Sequence, residues 1–370
     1  MEWAVVFRGN ITLAMKKLPY LPNRTLVFAL GLAVMAGCVT KKPAPPNYVI
    51  FPPPPDEPRI QYLMSFGSES DLAGRSKFTE FLAGEEQVLR PITKPYGVAI
   101  RNGKVYVCDT QSALVAVADM NKGKLHPLKP PGQAAMKVPI NVAVDENEVC
   151  YVTDAGRNQV LIYDKDGNLL EALGKKGELQ PSGIAISGDR LYVSDMLNHC
   201  VHVYNKNSRQ LLFNVPKKPE TNSIPYGPTN LAVDRNGKIY VSDSRGFDVK
   251  IYDGDGNFIR SVGELGPVPG TFSLPKGVGV DHEGRFYVVD AVAPVVQLFD
   301  DKGRLLMWFG EPKSSGEGSL YLPAALTVDY DNLGLFEKYV MPGYKLDYVI
   351  LLTNQVGPHK VSVYGFLKKA

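Results

Sequence analysis

The chain has 370 residues, 44% hydrophobic and 21% charged, which is enough apolar side chain for a core and too little charge for a disordered tail. Its 35 glycines and 29 prolines imply a density of turns that a helical bundle would not carry. Lysine and arginine exceed aspartate and glutamate by only three, far from the clustered excess of a nucleic-acid binder, so nucleic acid is not an expected partner.

That excess has an address. Residues 1–37 hold Arg8, Lys16, Lys17 and Arg24 against Glu2, so the chain from Cys38 onward balances 37 basic against 37 acidic residues. Residues 25–37 read TLVFALGLAVMAG, thirteen without a charge behind those basic groups. A basic stretch, a short apolar run and small residues before a cut describe an export signal, too short for a spanning helix of about 20 residues. The run ends in Met35-Ala36-Gly37-Cys38, which resembles the bacterial lipobox, in which the cysteine is lipidated and heads the mature chain. The resemblance implies Cys38 as the lipidation site and the membrane, through that lipid, as a partner. Val39 and Thr40 lack the aspartate associated with inner-membrane retention, which favours the outer membrane, with the domain facing the periplasm or the exterior. Either Met1 or Met15 would serve as a start.

Residues 41–59, KKPAPPNYVIFPPPPDEPR, carry eight prolines and predict an extended tether over 38–59. At about 3.1 Å per residue it would hold a domain up to roughly 60 Å from the membrane.

From Pro95 one unit recurs about six times: a proline, a short apolar strand, a tight turn, a Tyr-Val-x-Asp strand and two further strands. The second strands end at Asp109, Asp154, Asp195, Asp243 and Asp290, spaced by 45, 41, 48 and 47 residues; the sixth ends in Asn354. Four short strands per ~45 residues is the period of a propeller blade. The carrying motifs are the Pro-x-x-[Ile/Leu/Val]-Ala-Val-Asp strand, Tyr-Val-x-Asp, and Val-x-[Ile/Val]-Tyr-Asp before Asp-Gly-Asn. By them, the chain resembles the NHL-repeat family. It departs from that family where an arginine is usual: Leu114, Gln159, Cys200, Asp248 and Val295 stand there.

The fold class expected is therefore all-β, a six-bladed propeller of four-stranded antiparallel blades over residues 60–370. The sixth unit ends one strand short, and Ile60 to Gly67 (IQYLMSFG) echoes the fourth strand Leu306-Met307-Trp308-Phe309-Gly310. This N-terminal strand is predicted to complete the last blade and remove an open edge. Residues 68–93, the least periodic, are predicted to cross the surface.

In such blades the first-to-second and third-to-fourth turns share one face. Here these turns are short and rich in Asn-Gly, Asp-Gly and Glu-Gly. The opposite face carries the long connections 129–138, 214–228, 263–275 and 311–323. Variable loops on a rigid scaffold are where binding resides, so a protein, peptide or glycan partner is expected on that face. Tyr96, Asn141, Ser182, Asn230 and Lys276, just after the leading prolines, are the candidate binding residues at the channel mouth.

No catalytic residue, metal ligand set or cofactor motif is assigned. His199, Cys200 and His202 cluster in sequence, but two ligands on one strand face fall short of a zinc site, and a solvated blade surface is expected. Asp164 and Asp253 begin Asp-x-Asp-Gly-Asn turns whose glycine comes too early for a calcium loop. The five repeat aspartates are expected to accept backbone N–H groups, and Cys108, Cys150 and Cys200 to be buried free thiols. The reading is a non-catalytic scaffold of the cell envelope. The alternatives are a lyase- or lactonase-type propeller with a metal at the channel mouth, or an accessory subunit of a larger envelope complex.

Overall fold

In the computed structural model, residues 48–73, 91–128, 135–310 and 316–370 are described. The export signal, Cys38 and parts of two long connections lie outside them. The fold is a six-bladed β-propeller. Blade 1 runs through Pro95–Arg101, Lys104–Asp109, Leu114–Asp119 and Lys124–Pro127. Blades 2 to 5 repeat the order, with inner strands Pro139–Val144, Pro181–Ser187, Pro228–Val233 and Pro275–Val280. Blade 6 combines Pro323–Asp329, Tyr344–Asn354 and Val361–Lys369 with Ile60–Phe66, which pairs antiparallel with Val361–Lys369 and closes the ring.

Each strand alternates because each blade packs against two neighbours. Six apolar clusters result, one per blade interface. Tyr151, Val160 and Ile162 of blade 2 meet Ile184, Leu191 and Val193 of blade 3. Tyr287 and Val289 meet Tyr348, Ile350 and Leu352 between blades 5 and 6. Val105 and Val107 meet Val349, Leu351 and Val363 where blade 6 returns to blade 1. The tyrosine of each Tyr-Val-x-Asp strand is buried in these layers.

The blade 5–6 interface also holds a buried polar chain. Tyr287 Oη and Tyr348 Oη are 2.6 Å apart, Tyr348 donates to Asp281 Oδ2 at 3.0 Å, and Arg285 Nε donates to the same carboxylate at 2.6 Å. Burial, reinforced by Tyr287 and Asp281, drives the Tyr348 phenol far above its usual range.

The short turns follow from a recurring aspartate. Asp145, Asp164, Asp234, Asp253, Asp281 and Asp300 each accept backbone N–H groups two and four residues on, which fixes the hairpin. Asp164 and Asp253, the two calcium-loop look-alikes, are of this kind. Asn102 (φ 49°) and Gly103 (φ 76°) form a tighter two-residue turn that needs the left-handed region twice.

One expectation is corrected. Residues 48–59, assigned by their prolines to the tether, belong to the propeller. Ile50–Phe51 adds a fifth strand to blade 6 by pairing with Ile60–Phe66. Phe51 is buried with its ring 6.1 Å from that of Phe309, and Val49 packs on the same cluster. Tyr48-Val49-Ile50-Phe51 is an apolar run inside a proline-rich stretch, and burying it outweighs the polyproline tendency of its flanks. Of residues 68–93, the described part shows a short helix, Glu69–Ala73, and a buried Ile92.

Candidate functional site

The repeat aspartates stand at the ends of the second strands, on the face of the long loops. Asp243 accepts from the N–H groups of Tyr226 and Gly227 ahead of its blade's proline and from Arg245 and Gly246 in the turn behind it. Asp290 does the same for Ser273, Leu274, Val292 and Ala293. Asp109 serves Thr93, Lys94, Gln111 and Ser112, and Asp154 serves Lys137, Val138 and Arg157. Burial works to raise the Asp109 carboxyl, and these N–H groups together with the Ser112 hydroxyl bring it below its ordinary value. Asn354 offers one acceptor, to Tyr321 N–H, and turns its amide to the His359 carbonyl and Ser362.

The five mouth candidates come together from five different blades around the central axis, but not as one open surface. Asn141 Nδ2 donates to Asn230 Oδ1 at 2.7 Å, from blade 2 to blade 4. Ser182 Oγ donates to the Pro228 carbonyl at 2.5 Å. These three side chains are buried and satisfied. They close the ring's interior rather than present groups to a ligand.

Tyr96 and Lys276 differ. Both are half-buried, and Lys276 Nζ lies 5.5 Å from the centre of the Tyr96 ring. Among the described residues, neither Lys276 Nζ nor Tyr96 Oη has a hydrogen-bond or ion-pair partner. Burial and then the charge of Lys94 push the Lys276 ammonium below its ordinary value, and burial raises the Tyr96 phenol.

The backbones beneath these side chains are pinned by a signal that the sequence reading passed over. The x of Tyr-Val-x-Asp is a hydroxyl in four blades. Thr153 Oγ1 donates to the Ser182 carbonyl at 2.7 Å, Ser242 Oγ to that of Lys276, and Thr353 Oγ1 to that of Tyr96. Each bond crosses from one blade to the next inner strand. Ser194, the fourth, is buried without a partner.

Toward the hairpin face the inner strands enclose a cavity of about 330 Å³, lined among others by Ala99, Val144, Ile186, Val233 and Val280. Asn141 and Asn230 line its end toward the loop face. Arg101 and Asp331, 3.7 Å apart, stand at the other.

One group with metal-ligand chemistry is present among the described residues, and it is away from the inner strands. Asp195, Cys200 and His202 have their ligand atoms within 4.8 Å of one another in blade 3. The sequence reading kept Asp195 apart as a turn residue and so missed the trio. Register puts Asp195 opposite Cys200 and Val193 opposite His202, which joins them. His202 Nε2 donates to Asp195 Oδ2 at 2.9 Å and Nδ1 to Asn214 Oδ1 at 2.8 Å, with Cys200 Sγ 3.8 Å away. Burial opposes the imidazolium charge, but Asp195, Cys200 and Asn214 lift His202 to about 10. Asp195, which burial would raise, is lowered to about 2 by His202, Asn198 and backbone N–H groups. With both ring nitrogens donating, the half-buried His202 makes this a proton-filled site. Cys108, Cys150 and Cys200 are free and buried; burial raises Cys108 well above its usual value and Cys150 to about 12.

The loop face carries exposed apolar groups. Of fourteen exposed large hydrophobic side chains among the described residues, eight lie in its turns and connections: Val138, Leu197, Tyr226, Leu265, Val268, Val292, Leu322 and Val356. The other six are in outer strands, and none is in a hairpin-face turn.

No protein-family profile matches the chain. A stretch of 133 residues, 34% of the chain, is 32% identical to the brain tumor protein of Drosophila melanogaster, of which it spans 12%. Among solved structures, a gluconolactonase from Xanthomonas campestris superposes with a TM-score of 0.54 at 15% identity, over 88% of this chain and 99% of that one. A virginiamycin B lyase from Staphylococcus aureus gives 0.52 at 13% identity, over 74% and 95%. At such identities the likeness is one of fold alone.

Proposed function

We propose that the chain is a non-catalytic, NHL-type propeller that docks a protein partner on its loop face and is held to the bacterial outer membrane by a lipid on Cys38. The observation that carries the docking reading is the segregation of exposed apolar side chains: eight on the loop face, none in the hairpin turns. Contiguous apolar surface rimmed by polar groups marks interaction sites. The repeat itself supports a scaffold, since its recurrent carboxylates are consumed by backbone N–H groups. The membrane reading rests on Met35-Ala36-Gly37-Cys38 behind a charge-free run.

The test is capture from detergent-solubilised envelope, comparing the wild-type chain with the triple variant Leu197→Ser, Val292→Ser, Val356→Ser. A stoichiometric partner retained by the first and lost by the second supports docking there. Equal retention, or no stoichiometric partner, counts against it. Cys38→Ala should release the chain from the membrane fraction, and continued lipid labelling of that variant would contradict the anchor.

A further inference from the structure

Lys276 and Tyr96 are the mouth residues with donors to spare. An ammonium in a half-buried position with no carboxylate is costly, and burial of charge is ordinarily relieved by a partner. Here the charge of another cation, Lys94, also acts on Lys276 and adds to the cost. Both donors sit on inner strands whose carbonyls are bonded across blade boundaries by Ser242 and Thr353. They are therefore pre-positioned, so that little ordering remains to be done on binding.

The surroundings define the class of ligand. Among the described residues, Lys94, Lys137, Arg245 and Lys276 on this face make no ion pair. The same face carries Leu197, Tyr226, Val292, Leu322 and Val356, exposed and apolar. A nucleic-acid backbone would use the cations and leave the apolar side chains wet. A peptide segment uses both.

We propose that the loop-face mouth of the channel is a receptor for an acidic side chain on an extended segment of the partner protein. The Asp or Glu carboxylate pairs with Lys276 Nζ and accepts from Tyr96 Oη, while its apolar neighbours rest on the leucine, valine and tyrosine side chains of that face. Charge-assisted bonds of this kind are the stronger ones, and a site built for a charged donor–acceptor pair discriminates sharply against a neutral isostere. This rests on the loop face being the docking surface.

The probes are two blocked, fluorescein-labelled peptides, Gly-Leu-Glu-Phe-Gly and Gly-Leu-Gln-Phe-Gly, titrated by anisotropy against the full chain. The glutamate peptide should bind at least tenfold more tightly than the glutamine peptide. Lys276→Met should reduce that preference to less than twofold, whereas Lys276→Arg and the hairpin-face control Lys302→Met should keep it. Circular dichroism melting confirms that each variant is folded. Equal affinities in the wild type, or a preference intact in Lys276→Met, would overturn the proposal. So would displacement of the peptide by inorganic phosphate at equal concentration, since the site would then hold any small anion. Failure of both peptides to bind at millimolar concentration overturns it too. The capture experiment would then decide separately whether the loop face docks anything at all.

Discussion

A single carboxylate at the end of each second strand ties three segments together, and its worth is set by what it leaves behind when removed. Asp243→Ala strands four backbone N–H groups, two of them ahead of Pro228 and two in the following turn. Each buried orphan costs about 1–3 kcal/mol, partly relieved by water, so a loss of roughly 2–4 kcal/mol is expected in urea unfolding. Asp243→Asn should cost less, because blade 6 works with Asn354. A loss below about 0.5 kcal/mol for the alanine variant would contradict the capping role. His202 behaves differently. Its folded-state value is raised from 6.5 to about 10, so its pairing with Asp195 stabilises fully below pH 6.5 and is lost as pH climbs through 10. His202→Gln should therefore lower stability most just below pH 6.5, and the gap between variant and wild type should narrow as the pH rises toward 10. A pH-independent gap would show that the imidazolium is not what matters. The aspartates were legible because they recur; the Asp195–His202 pair was not, because it depends on cross-strand register in one blade.

At the scale of elements, periodicity exposed every inner and second strand, since burial on both faces of a blade leaves unbroken apolar alternation. The closing strand Ile60–Phe66 was readable from its likeness to Leu305–Phe309, two strands in equivalent outer positions. Ile50–Phe51 was hidden because prolines on both sides dominate the composition, whereas two residues paired to Gln61 and Ile60 decide the structure. A chain beginning at Tyr48 should melt cooperatively. One beginning at Ser68 lacks the fourth strand of blade 6, exposes the edge of Val361–Lys369, and should melt more than 10 °C lower or aggregate. Equal melting of the two, followed by circular dichroism, would contradict closure by the N-terminal strand. The hydroxyls of Thr153, Ser242 and Thr353 were visible in the repeat, but their partners lie on neighbouring blades, out of reach of a one-blade reading.

For the whole molecule, charge and surface separate cleanly. The three excess positive charges belong to residues 1–37, so any attraction exerted by the domain is local rather than a property of its net charge. What is local is the loop face, with its apolar side chains and two unpaired donors. The sequence pointed to this face through loop length, and to Tyr96 and Lys276 through their place after the prolines. It could not tell that Asn141 and Asn230, each two residues after its proline, would pair with each other across the axis, or that Ser182 would be taken up by the Pro228 carbonyl. The most direct measurement is site-specific photo-crosslinking in the native envelope, with the reactive residue placed once at Val292 and once at Lys302. The account predicts a discrete cross-linked protein partner from position 292 and none from position 302. Cross-links from 302 alone, or equally from both, would contradict it.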